Sequence, residues 1–129
     1  MRYPVILIGL SVAVLSVVGA RAQDAGDATA GATVFKKCTA CHVADTDKNK
    51  VGPSLKGIFG RTAGTHPGFN YSPAMKAAGA GGLVWDAASL RDYLHNPKAK
   101  VKGTKMAFPG MKDETEISNL EAYLKQYSN

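Results

Sequence analysis

Cys38 and Cys41 stand two residues apart and His42 follows at once, in the run Cys38-Thr39-Ala40-Cys41-His42. Thiols at this spacing lie on one side of a helical turn, where each can add across a vinyl group on the edge of a haem. The adjacent imidazole can then reach the iron from beneath the porphyrin. These are the only cysteines in the chain, so no thiol remains for other chemistry. Three plainer uses compete. Structural zinc needs four ligands, commonly a second Cys or His pair at matching spacing, and the other histidines, His66 and His95, form no such pair. A thioredoxin-like redox site sits in a βαβ pattern, and no strand runs are visible. A disulfide across two residues closes a small strained loop that contributes little.

The elements that must position this motif are helical. The first helix is expected over Asp27 to Lys37, capped by Asp24 or Asp27, with Gly31, Val34 and Phe35 facing inward, and it leads directly to Cys38. A second begins after Asp86, carries Leu90, Tyr93 and Leu94 at helical spacing, and ends before Pro97. The third starts with a capping-box-like Asp113 and Glu116, and Ile117, Leu120, Leu124 and Tyr127 make one apolar stripe. Between Val43 and Leu83 glycine and proline punctuate the chain, which reads as a long loop. Such a loop is uncommon in a small domain unless it wraps something. A flat cofactor supplies that something.

The start of the chain reads as an address. Met1-Arg2 is a short positive start, Val5 to Ala20 carries no charge, and Ala20-Arg21-Ala22 is a small-x-small cleavage site, so residues 1–22 are expected to be a secretory signal. The apolar run is shorter than the ~20 residues of a membrane-spanning helix; an uncleaved anchor is the rival reading. A mitochondrial transit peptide would be amphipathic and rich in Arg and Ser instead. Cleavage leaves one small domain, residues 23–129, of about 100 residues. Covalent attachment suits an exported haem protein, which cannot then lose its cofactor. With 16 Lys+Arg against 10 Asp+Glu the chain is basic, which suits acidic protein surfaces; export separates it from nucleic acid. A core this small is thin, so the apo chain is expected to fold poorly.

The order of short blocks carries a more specific message. Gly31 with Phe35, Cys38-x-x-Cys41-His42, Val51-Gly52-Pro53-Ser54-Leu55, Gly57-Ile58-Phe59-Gly60-Arg61, Pro67-Gly68-Phe69-x-Tyr71, Trp85, Tyr93-Leu94-x-Asn96-Pro97, Gly103-Thr104-Lys105-Met106 and Leu120-x-x-Tyr123-Leu124 follow one another along the mature chain. In these blocks the sequence resembles the class I cytochromes c, mitochondrial and small bacterial periplasmic. The resemblance implies an all-α cytochrome c fold, three main helices with long loops wrapped around one covalent haem c.

The same resemblance assigns roles. Met106 becomes the second iron ligand opposite His42, leaving Met75 and Met111 as core or surface residues and His66 and His95 as rival sixth ligands. Pro53 corresponds to the residue whose carbonyl accepts the imidazole N–H. Arg61 corresponds to a guanidinium beside a haem propionate, with Tyr71 and Trp85 as further propionate donors. Tyr93 and Thr104 correspond to donors near the Met106 sulfur and the haem floor. Lys36, Lys37, Lys50, Lys98, Lys100, Lys105 and Lys112 come from segments that border the exposed haem edge; a solvated basic surface is their plainer reading. Met75 stands where the family often has a polar side chain, and Lys102 where proline is common. The implied function is that of a monomeric, non-enzymatic periplasmic electron carrier between a quinol–cytochrome c reductase and an oxidase, reductase or photosynthetic reaction centre. A membrane-anchored electron-transfer domain, or a haem enzyme or gas sensor with a displaceable sixth ligand, is the alternative.

Overall fold

The computed structural model describes residues 25–128; the expected signal segment and its cleavage site lie outside them. Five helices follow in order: α1 (Ala28–Phe35), α2 (Pro73–Ala80), α3 (Ala87–His95), α4 (Pro97–Lys100) and α5 (Glu114–Lys125). Among the described residues there is no strand, only an isolated antiparallel bridge between Thr62 and Val84, and no helix is long and apolar enough to cross a membrane.

The first and last helices pack on each other, the most extensive helix pair in the fold. A glycine makes this possible. A Cβ on Gly31 would lie 1.9 Å from the Asn119 carbonyl oxygen, so only a bare Cα lets the two backbones approach so closely. Phe35 packs on Tyr123 with ring centroids 5.1 Å apart, and Ile117, Leu120 and Leu124 are almost wholly buried. Asp27 caps α1 by accepting from Thr29 and Ala30, while its own N–H donates to Asn119 Oδ1 at 2.7 Å. The helix is shorter than expected, because the chain turns after Phe35 through residues 36–41.

Asp86 and Ser89 exchange hydrogen bonds across the start of α3 in a full capping box. At α5 the expected box is half made. Asp113 accepts from Thr115 and Glu116 N–H, but the Glu116 carboxylate turns away to pair with Lys37 at 2.7 Å. Arg91 joins α3 to α5 by donating to Glu114 at 2.6 Å, Ser118 at 3.1 Å and the buried Glu121 at 2.8 Å. Leaving Glu121 without that partner would strand a carboxylate among apolar groups, the costly form of a buried ion.

Two short helices correct the sequence reading. The segment expected to be loop throughout contains α2, capped by Ser72 with Pro73 in the first turn. Its small residues bury only Met75 and Gly79, too little apolar periodicity to show as a stripe. Likewise Pro97 ends α3 and at once begins the four-residue α4, whose cap is Asn96. The rest of the long segment is held by backbone bonds: Gly52 N to Cys41 O at 2.8 Å, Leu55 N to Val43 O at 2.8 Å, Gly60 N to Trp85 O at 2.8 Å and Ala63 N to Leu83 O at 2.9 Å. Its winding course is therefore fixed at both walls of the molecule's centre.

Candidate functional site

The Cys-x-x-Cys-His motif sits in the turn that leaves α1. Cys41 N and His42 N both bond to the Cys38 carbonyl, at 3.1 and 2.9 Å. The two cysteines do not form a disulfide with each other. As a thiol, before any attachment, Cys38 is pushed up to about 11 by burial.

His42 is held from two sides. Its Nδ1 donates to the Pro53 carbonyl at 2.7 Å, and a Cβ on Gly52 would meet the ring at 2.3 Å (Cε1). The glycine leaves a cradle for the imidazole, and the proline carbonyl sets its tautomer, placing the lone pair on Nε2. Burial holds the His42 pKa below its usual value, against the opposing pull of the Pro53 bond. A neutral imidazole is the form that binds a metal.

A cavity of about 500 Å3 opens beside this motif, within the ~300–1,000 Å3 usual for small-molecule and cofactor sites. The candidate contact residues from the sequence, namely Cys38, Cys41, His42, Pro53, Arg61, Tyr71, Trp85, Tyr93, Thr104 and Met106, all line it. Met106 arrives on the extended segment after α4, and its N–H donates to Thr104 Oγ1 at 3.3 Å. Tyr93 Oη and Thr104 Oγ1 share a hydrogen bond of 2.7 Å, so α3 and the methionine segment are tied together at the cavity wall. Arg61 donates to the Ser54 carbonyl at 2.8 Å and to the Lys56 carbonyl, and lies beside Tyr71. The Tyr71 oxygen accepts from His66 N–H at 3.2 Å, which leaves its own proton for an acceptor in the cavity. Trp85 packs on Tyr93 at 5.0 Å.

The rival ligands are placed elsewhere. His95 ends α3 with both ring nitrogens occupied by Met111 and Glu114, and His66 is buried in its loop; neither lines the cavity. Met111 is core, whereas Met75 is buried and faces the cavity. Of the candidate docking lysines, Lys37 and Lys105 border the cavity. Lys37 is paired with Glu116, Lys100 with Asp92 at 3.0 Å, and Lys50 donates to the Thr39 carbonyl at 2.5 Å. Lys36, Lys98 and Lys112 are exposed. Several cavity residues had no role in the sequence reading. Leu90 and Leu94 appeared there only as a helical stripe, and the Gly52 cradle had no signal beyond its place before Pro53.

The donor set fits a flat group. Two thiols and an imidazole stand together, apolar walls come from α3 and α5, and Arg61, Tyr71 and Trp85 supply polar hydrogens for an anionic edge. Comparison with known proteins agrees with this chemistry. The family model for cytochrome c matches residues 28–128. Cytochrome c2 of Agrobacterium tumefaciens (strain II Chrys) is 54% identical over 100 residues, covering 77% of this chain and 90% of its own. Cytochrome c2 of Blastochloris viridis is 48% identical over 124 residues, 95% of this chain and 93% of its own. The solved structure of cytochrome c2 from Rhodospirillum centenum superposes with a TM-score of 0.77 at 44% identity, covering 81% of this chain and all of that one. The chain belongs to the cytochrome c family, and its two cysteines, Cys38 and Cys41, are those of a single covalently bound haem c.

Proposed function

We propose that this protein is an exported carrier of single electrons, working in the periplasm and docking transiently as a monomer on acidic surfaces of membrane redox complexes. One observation carries the reading: a single cavity brings Cys38, Cys41, His42 and Met106 together. Bound there, haem c would supply a one-electron couple. His42 Nε2 and the Met106 thioether would hold the iron, and a neutral soft sulfur favours the reduced metal. With both positions filled, no site is open for dioxygen or peroxide, and transfer is favoured over catalysis. The protein's own share is rigidity. The Pro53 bond fixes the imidazole, Thr104 and Tyr93 fix the segment bearing Met106, and Arg61, Tyr71 and Trp85 would meet the propionates.

Residues 1–22 are proposed as the cleaved export signal. The docking face is proposed around the cavity border. Lys36, Lys98, Lys105 and Lys112 make no ion pair among the described residues and present undiminished charge, whereas Lys37 and Lys100 are partly offset by their acidic partners. Unpaired charge is what steers association at low salt.

The test is an optical spectrum of the ferric holoprotein with a redox titration, repeated for Met106→Ala. The native protein is expected to show the weak red-region band of an iron–thioether bond, and the variant to lose that band and fall in potential. An unchanged spectrum and potential in the variant refutes the ligand assignment.

A further inference from the structure

His95 has an arrangement that its position alone does not explain. Its Nδ1 lies 2.9 Å from the Met111 carbonyl oxygen, and its Nε2 lies 2.6 Å from a Glu114 carboxylate oxygen. Both partners are acceptors. Only an imidazole with a proton on each nitrogen can satisfy both at once. Arg91 holds the second Glu114 oxygen at 2.6 Å; Lys98 follows His95 in the chain at the start of α4, and Lys112 and Asp113 follow Met111 ahead of α5. The Asp113 carboxylate is taken up by the Thr115 and Glu116 N–H groups. The Arg91 bond keeps Glu114 below its usual carboxylate value, so Glu114 remains an acceptor wherever histidine titrates.

Met111 is where the methionine segment is fastened down. That segment is tied at its start by Thr104 N to Val101 O at 3.0 Å and at its end by Met111 N to Leu94 O at 2.8 Å; from residue 105 to 110 no backbone–backbone hydrogen bond intervenes. Gly110, at φ +100°, runs so close to α3 that a Cβ would sit 2.1 Å from the His95 carbonyl oxygen. The Met111 peptide is thus gripped twice, once through its N–H by α3 backbone and once through its carbonyl by the His95 ring.

We propose that His95 is a positioning residue for the sixth ligand: its imidazolium clasps the far end of the Met106 segment to α3 and α5, and losing one proton loosens that segment. A neutral ring has one N–H for two acceptors. Whichever nitrogen keeps it, the other turns a lone pair toward an oxygen less than 3 Å away, and one grip opens. The inference rests on the His42/Met106 reading above and adds a pH dependence to it.

The experiment measures azide binding to the ferric holoprotein between about pH 5 and 8, the range in which histidine side chains titrate, with the red band recorded in parallel. Affinity is expressed per azide anion, since part of the azide is hydrazoic acid near pH 5, and the anion competes with the thioether for iron. Azide affinity is expected to rise with pH, by several-fold to about tenfold, the worth of one charge-assisted hydrogen bond discounted for an exposed partner. The sign is informative, since losing a positive charge would by itself weaken anion binding. In His95→Gln the affinity is expected to be independent of pH. In Glu114→Gln it is expected to be flat and low, because a neutral His95 can donate to Met111 while accepting from the new amide. A flat wild-type profile with the red band present overturns the clasp and leaves the ligand assignment standing, as does a pH dependence unchanged in His95→Gln. Absence of the red band at every pH overturns both.

Discussion

Substituting Gly52 by alanine tests how tightly the proximal imidazole is held. A Cβ at this position would lie 2.3 Å from His42 Cε1, 2.8 Å from Nδ1 and 2.9 Å from Nε2. Ordinary contact begins near 3.4 Å, so the ring must retreat by roughly 1 Å, the overpacking regime that costs about 1–3 kcal/mol. The ring is also bonded to Pro53 at 2.7 Å. Moving it forfeits that bond, worth about 1 kcal/mol. The two together come to about 2–4 kcal/mol, which in a domain of this size lowers Tm by roughly 10–20 °C. The potential should move as well. An imidazole whose N–H donates to a carbonyl is a stronger electron donor and favours the oxidised metal, so losing the bond raises the potential. The assay is thermal unfolding of the ferric holoprotein with a redox titration of the same sample. A variant melting within a degree or two of the parent, at an unchanged potential, would refute the claim that Gly52 and Pro53 jointly fix His42.

Three further outcomes follow from other parts of the fold. Gly31→Ala drives a methyl to 1.9 Å from the Asn119 carbonyl; backbone cannot yield as a side chain does, so α1 should separate from α5 and denaturant midpoints should drop more than for a surface Gly→Ala change. Burial raises the Glu121 carboxyl above its usual value despite Arg91. A raised folded value means that this group's contribution is fully present below the ordinary carboxylate range, about pH 4.3, and is lost as pH rises through the folded value. The stability of Glu121→Gln relative to the parent should therefore improve from pH 4 to pH 7 in urea unfolding. Lys105→Gln should slow electron transfer to an acidic redox partner at low ionic strength more than Lys37→Gln, whose parent charge already faces Glu116. The two rates should converge as salt screens the surface.

Much of the site was legible because its chemistry is local in sequence. The Cys38 to His42 run gave the attachment chemistry, and the caps at Asp27, Asp86 and Asp113 gave the starts of α1, α3 and α5. What escaped was set by contacts distant in sequence or by weak local signals. Helix α2 is built from alanine and glycine around one buried methionine, so no apolar period marks it. Glu116 reads as a capping partner, yet Lys37, from a remote turn, captures its carboxylate. His95 read only as a rival ligand; its pairing with Met111 and Glu114 depends on how α3 meets the start of α5.

The close seam between Gly31 and Asn119 also dictates an order of assembly. The turn bearing both cysteines hangs directly from α1, and the surface that holds α1 in place is made by α5, much later in the chain. Until α5 has been synthesised, α1 lacks the surface on which Phe35 packs, and the turn that follows α1 lacks its support on that side. Closure of the last helix therefore completes the wall against which the cysteine-bearing turn is set.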